Sequence, residues 1–166
     1  MTAVPDAAGA TSAAEPAAAG PRSRGRRRAD TEHRLEHDVD LWVASAAPDG
    51  TPYLVPLSFF WDGEAVWVST PAESPTGLNL AGTGVARLAL GRTRDVTVID
   101  GAVEVFDLDA LPREHGDRFA ASSGFDPRRQ GARYRWFRIT PRRIQAWREA
   151  NELPGRELMR DGRWLE

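Results

Sequence analysis

The sequence predicts a mainly β fold, an antiparallel barrel edged by short helices. Three observations carry this. From Asp38 onward, apolar and polar residues alternate with a period of two, and β-branched and aromatic side chains are frequent. Successive segments are separated by tight-turn dipeptides, Asp49-Gly50, Asp62-Gly63 and Asp161-Gly162. At 166 residues the chain has room for one ordinary core, and not comfortably for two.

Residues 1 to 28 are rich in Ala, Pro and Gly with almost no large apolar side chain, so burial cannot offset the entropy of ordering them. They are expected to form a disordered tail carrying Arg22, Arg24, Arg26, Arg27 and Arg28, and residues 29 to 166 the folded domain. Residues 40 to 46 read as a first strand, and 51 to 61 and 65 to 70 flank Asp62-Gly63, giving a meander of three strands. Ser74-Pro75 then opens a short helix over 74 to 82, with Ser at the N-cap and Pro at the first helical position. Strands follow over 84 to 91 and 95 to 107, the second bent at Asp100-Gly101, where glycine suits a bulge. A helix over 109 to 124, capped by Asp109, leads to a strand over 133 to 147 and a closing hairpin around Asp161-Gly162. Phe59, Phe60, Trp61 and Trp67 alternate along their strands and are expected in the core.

Composition excludes several functions. The chain has no cysteine, so disulfides, thiolate zinc sites and a cysteine nucleophile are ruled out. All 22 basic residues are arginine and the net charge is −2, which gives no general field for nucleic acid or an anionic membrane. Outside residues 1 to 28 there remain 17 arginines against 22 acidic residues, a net of −5. No apolar run approaches the roughly 20 residues of a membrane helix, and the N-terminus lacks the apolar stretch of a secretory signal, so a cytoplasmic protein is expected. His33 and His37 stand four apart but have no nearby third ligand, and His115 is isolated, so no metal site is expected. No GxSxG elbow, Walker loop or GxGxxG fingerprint occurs. Asp107 and Asp109 lie at an element boundary, where capping is their ordinary use.

What survives is a hydroxyl cluster. Ser69, Thr70, Ser74 and Thr76 surround the start of the 74 to 82 helix, whose free N–H groups and dipole favour an anion. The same residues serve equally well as a plain helix cap.

The stretch DGTPYLVPLSFFWDGEAVWVSTPAESPTGLNLAGTGVARLALG resembles the first half of the pyridoxamine 5′-phosphate oxidase-like family, the flavin-binding split β-barrel proteins. In that family a third strand ends in Thr, and a Ser-containing element four residues later receives the cofactor phosphate; Thr70 and Ser74 hold this spacing. ITPRRIQAW, followed nine residues on by Arg156, is similar to the family's closing strands, whose Trp and Arg enclose the cofactor. The likeness runs from about residue 35 to the C-terminus. One departure is Thr76, which stands where the family often has lysine, so a phosphate would meet hydroxyls and backbone N–H groups with less charge assistance.

The resemblance implies a six-stranded antiparallel split β-barrel and a homodimer with two equivalent cofactor clefts at its interface. It implies FMN, or the deazaflavin F420, whose ribityl phosphate is a diester with one charge fewer, and an oxidoreductase moving a hydride to or from a small organic substrate. Val55, Pro56, Leu57 and Ser58 would lie along the ring, Ser69, Thr70, Ser74, Thr76 and Asn79 would hold the tail, and Trp147 and Arg156 would close the site. No residue stands out as acid or base. Pyridoxamine phosphate oxidation itself is not expected, because strand alternation splits Arg142, Arg143 and Arg148 between faces. Arg92 and Arg94 either reach the cofactor or edge a strand. The alternative is a non-catalytic flavin, haem or lipid binding or sensing protein on the same barrel.

Overall fold

A computed structural model of the chain describes residues 20–131 and 133–166. The elements run α1 (Arg24–His37), β1 (Asp40–Ala46), β2 (Pro52–Trp61), β3 (Val66–Pro71), α2 (Pro75–Thr83), β4 (Val85–Arg92), β5 (Asp95–Phe106), α3 (Arg113–Ser123), β6 (Tyr134–Trp147), β7 (Glu157–Arg160) and β8 (Arg163–Trp164). Strands pair in the order β3-β2-β1-β4-β5-β6, and β3 pairs again with β6. The expected six-stranded antiparallel barrel is thereby closed, with β7 and β8 as a hairpin beside β6.

Alternation along each strand decides what fills the barrel. Leu41 and Val43 of β1, Phe59 of β2, Val66 and Val68 of β3, Leu88 and Leu90 of β4, Ile99 of β5, and Phe137, Ile139 and Ile144 of β6 point inward and pack together. A second cluster, Phe60, Trp67, Phe119 and Trp136, lies between the outer wall and α3, with Phe119 edge-on to Trp136 at 5.0 Å between ring centroids. The expected bend in β5 is a register shift against β6 between Asp100 and Gly101. Glycine is required there because a Cβ at residue 101 would lie 2.5 Å from Ile139 Cγ2 and 2.9 Å from the Thr140 carbonyl oxygen.

Two expectations need correction. The expected disordered tail extends through Arg28, yet Arg24–Arg28 form the start of α1; residues 1–19 lie outside the described residues. Ion pairs do what apolar burial could not. Arg22 Nη2 sits 2.7 Å from Glu152 and 3.1 Å from Asp95, Arg22 Nη1 is 2.9 Å from Asp30, and buried Arg27 donates to the Glu152 carbonyl oxygen at 3.1 Å. Ser23 caps the helix by accepting from Arg26 N–H, and Leu35 and Thr31 are buried against the barrel. Arg22 and Arg27 are therefore turned inward, while Arg26 remains exposed and Arg28 half-exposed.

The second correction concerns α3. It begins at Arg113 rather than 109, with Pro112 at the N-cap, and Asp109 does not cap it. Proline there presets the backbone for helix entry without a side-chain hydrogen bond. Among the described residues, no helix is long and apolar enough to cross a membrane.

Candidate functional site

At the end of β3 the chain turns sharply into α2. Ser74 Oγ donates to the Pro71 carbonyl oxygen at 2.8 Å and accepts from Gly77 N–H at 3.0 Å, so it caps the helix. Thr70 Oγ1 lies 3.1 Å from Ser74 Oγ. Since the single Ser74 proton goes to Pro71, Thr70 is the donor in that contact. The turn is tight: a Cβ on Gly77 would meet the Pro71 oxygen at 2.3 Å and the Ala72 oxygen at 2.7 Å. Only glycine lets α2 press this closely onto the strand end.

Beside this junction is a cleft of about 430 Å³, lined by Asp40, Pro56, Leu57, Ser58, Ser69, Thr70 and Pro71 on one side and the aromatic rings of Phe119, Phe125 and Tyr134 on the other. Its strand wall comes from β1, β2 and β3, and its aromatic wall from α3, the segment after it and the first residue of β6. Ser69 Oγ donates to the Arg135 carbonyl oxygen at 2.9 Å, which ties β3 to β6 at the rim. Ser58 Oγ donates to Asp40 Oδ1 at 2.7 Å. Phe125 and Tyr134 pack with centroids 5.6 Å apart.

Of the residues the sequence singled out, Pro56, Leu57, Ser58, Ser69 and Thr70 line the cleft, and Ser74 joins it through Thr70. Val55 and Leu57 pack against the barrel interior. Thr76 and Asn79 are buried, and Asn79 Nδ2 donates to Ser45 Oγ at 3.2 Å rather than reaching the cleft. Trp147 and Arg156 are brought together, the guanidinium carbon 5.4 Å from the ring centroid, but at the other end of β6 from Tyr134. Arg92 and Arg94 line a separate depression of about 600 Å³ with Arg34, Asp38, Asp95, Arg148 and Glu149.

Sequence reasoning missed Asp40, Pro71, Phe119, Phe125 and Tyr134. Asp40 alone left a local signal: it begins the strand that pairs with Ser58. The aromatic wall comes from segments far along the chain and has no signature short of the fold.

The sequence matches the pyridoxamine 5′-phosphate oxidase family over residues 32–148, which spans the whole barrel and both walls of the cleft. This chain belongs to that family. Solved structures with the same fold include an F420 reductase (TM-score 0.56, 19% identity, covering 68% of this chain and 94% of that one). They also include the heme storage protein HutZ of Vibrio cholerae (TM-score 0.61, 17% identity, 72% of this chain and 92% of that one). A third is PhzG of Burkholderia lata, in complex with tetrahydrophenazine-1-carboxylic acid (TM-score 0.53, 18% identity, 78% of this chain and 80% of that one). Comparison with curated proteins gives no match. Membership of the family and likeness at these identities define the barrel and not the ligand, since the likenesses range from a reductase to a heme storage protein.

Proposed function

We propose that the chain is a flavin-class oxidoreductase acting on a small organic substrate, with F420 preferred over FMN. The observation that carries this is the cleft itself: an aromatic wall opposite a strand wall, ending in hydroxyls at the start of a helix. Flat walls suit a fused ring, and the Thr70–Ser74 junction with the N-terminus of α2 suits a polar tail. The lining residues include no cation and one acid, Asp40. At the phosphate position that balance favours a singly charged diester over a dianion.

A bound cofactor of this class would supply the hydride chemistry. The chain's own residues would do the rest. Pro56 holds one face of the ring, and Phe125 and Tyr134 exclude water from the other. Thr70 and Ser74 turn their hydroxyl protons from each other and from Pro71 toward the tail, at the cost of two internal contacts.

Within one chain Trp147 and Arg156 do not reach this cleft, so closing it requires a second copy. A strip of exposed apolar residues crosses the outer faces of β2, β1 and β4. Trp42, 49% exposed, pairs with Pro56 and Ala89, while Leu54, 58% exposed, pairs with Ala44, which in turn pairs with Arg87. Val85, 55% exposed, extends the strip. Such a surface fits an isologous homodimer in which each copy closes the other's cleft.

Equilibrium titration of the purified chain with F420 and FMN in parallel, followed by cofactor fluorescence and tryptophan quenching, tests the proposal. Saturable binding with F420 the tighter ligand is expected; no binding of either at micromolar concentration overturns it. Cofactor binding and reduction with no substrate turned over would favour the storage or sensing alternative.

A further inference from the structure

Asp40 and Ser58 are cross-strand partners at the start of the β1–β2 ladder, and both line the cleft. With its proton given to Asp40 Oδ1, the Ser58 oxygen has only lone pairs left to offer. A carboxylate is likewise acceptor-only. This corner therefore presents acceptors and no side-chain donor. Asp40 is also the one charged side chain among the residues lining the cleft.

We infer that the Asp40–Ser58 pair determines substrate specificity: it seats a cationic, donor-bearing group, an ammonium or amidinium carried on a flat ring, and turns carboxylates and phosphates away from that end. The inference rests on reading the cleft as the ligand site. The imide edge of a flavin-type ring offers this pair one N–H between two carbonyl acceptors, whereas an ammonium or amidinium brings donors alone. The group received here thus belongs to the substrate and not to the imide edge of a cofactor. Phe125 and Tyr134, on the opposite wall, supply the contact surface for the ring that carries it.

The test uses the full chain without cofactor and three probes of one shape: benzamidine, benzyl alcohol and benzoate. Each is titrated separately, with the amide resonances of Ser58, Thr70 and Tyr134 as the local readout. Attraction of the cation and repulsion of the anion add, so benzamidine should bind about tenfold more tightly than benzoate even with solvent screening. Asp40→Asn should bring the two within about twofold, leave benzyl alcohol unchanged and leave the melting temperature near that of the parent. Ser58→Ala, which keeps the charge, should retain the preference for benzamidine. Equal binding of benzoate, a preference that survives Asp40→Asn or is lost in Ser58→Ala, or no response to benzamidine at these three amides would overturn the inference. Because no cofactor is present, this result and the cofactor titration can fail independently.

Discussion

The two ends of β6 use their polar groups in opposite ways. Beyond Trp147, Asp95 meets Arg22 at 3.1 Å, Arg34 at 2.9 Å and Arg148 at 3.1 Å, while Glu152 accepts from the backbone and side chain of Arg22 and from Arg148 N–H. Near Tyr134, the cleft carboxylate of Asp40 meets the hydroxyl of Ser58. Burial would raise the Asp95 carboxyl, but the hydrogen bond from Arg148 and the charges of Arg34 and Arg22 outweigh it and hold the group below its usual range. The hydrogen bonds of Arg22 bring Glu152 down to about 2. One end turns most of its charges onto one another; the other leaves acceptors open to the cleft. On the proposed reading, stability and recognition sit at opposite ends of one strand.

The largest effect is expected at the ion-paired end. Glu152→Ala removes the buried acceptor shared by Arg22 and Arg148 N–H, leaving Arg22 to Asp30 and Asp95, and should cost about 3 kcal/mol, read as a lower melting temperature, without changing ligand affinity measured where the variant is folded. The pH dependence follows from the same group. Its folded value of about 2 lies below the ordinary 4.5, so its stabilisation is complete above pH 4.5 and is lost as the pH falls toward 2. Glu152→Gln should flatten stability across that window in acid melts; an unchanged acid slope would show that Glu152 is not the group responsible.

At the cleft end, Gly77→Ala places a methyl group against the Pro71 carbonyl and should cost about 2 kcal/mol. Because it pushes α2 off the strand end, it should also weaken cofactor binding, which Glu152→Ala should not. Replacing Thr70 and Ser74 together by alanine removes the cap, for about 1 kcal/mol, and should weaken the cofactor by about tenfold. Unchanged affinity would remove these hydroxyls from the tail site. The smallest effect belongs to Arg28→Ala, whose guanidinium carbon lies 4.6 Å from the Trp164 ring centroid. About 0.5 kcal/mol in a chemical melt, with no change in ligand affinity, is expected.

The barrel was legible because its strands announce themselves locally: alternation, tight turns and the Asp100-Gly101 bend each carried through to a strand, a hairpin or a bulge. α1 was not legible through apolar periodicity, since its buried face includes Arg27 and Thr31 as well as Leu35. Its signals were of another kind, Ser23 as a cap and the pairs Arg26–Asp30 and Arg28–Glu32 one helical turn apart. In the cleft, the Thr70–Ser74 turn could be read from hydroxyls clustered at a helix start, and Pro56, Leu57 and Ser58 through the family resemblance. The wall of Phe119, Phe125 and Tyr134 could not, because the chain meets it again only after two further strands and a helix.

The clasp of α1 also orders events in time. Arg22 binds Glu152, Arg24 donates to the Glu166 carbonyl oxygen and Arg28 covers Trp164, while Thr31 and Arg34 reach Thr97 and Asp95, so these partners of the first helix come from residues 95 to 97 and 152 to 166. A ribosome making this protein delivers α1 first and those partners later. The early barrel strands can pair while synthesis continues, but the ion pairs that clasp the helix must wait until Asp95 and then Glu152 have emerged. Its high charge then serves a second purpose, keeping a waiting segment from sticking to its neighbours on the polysome.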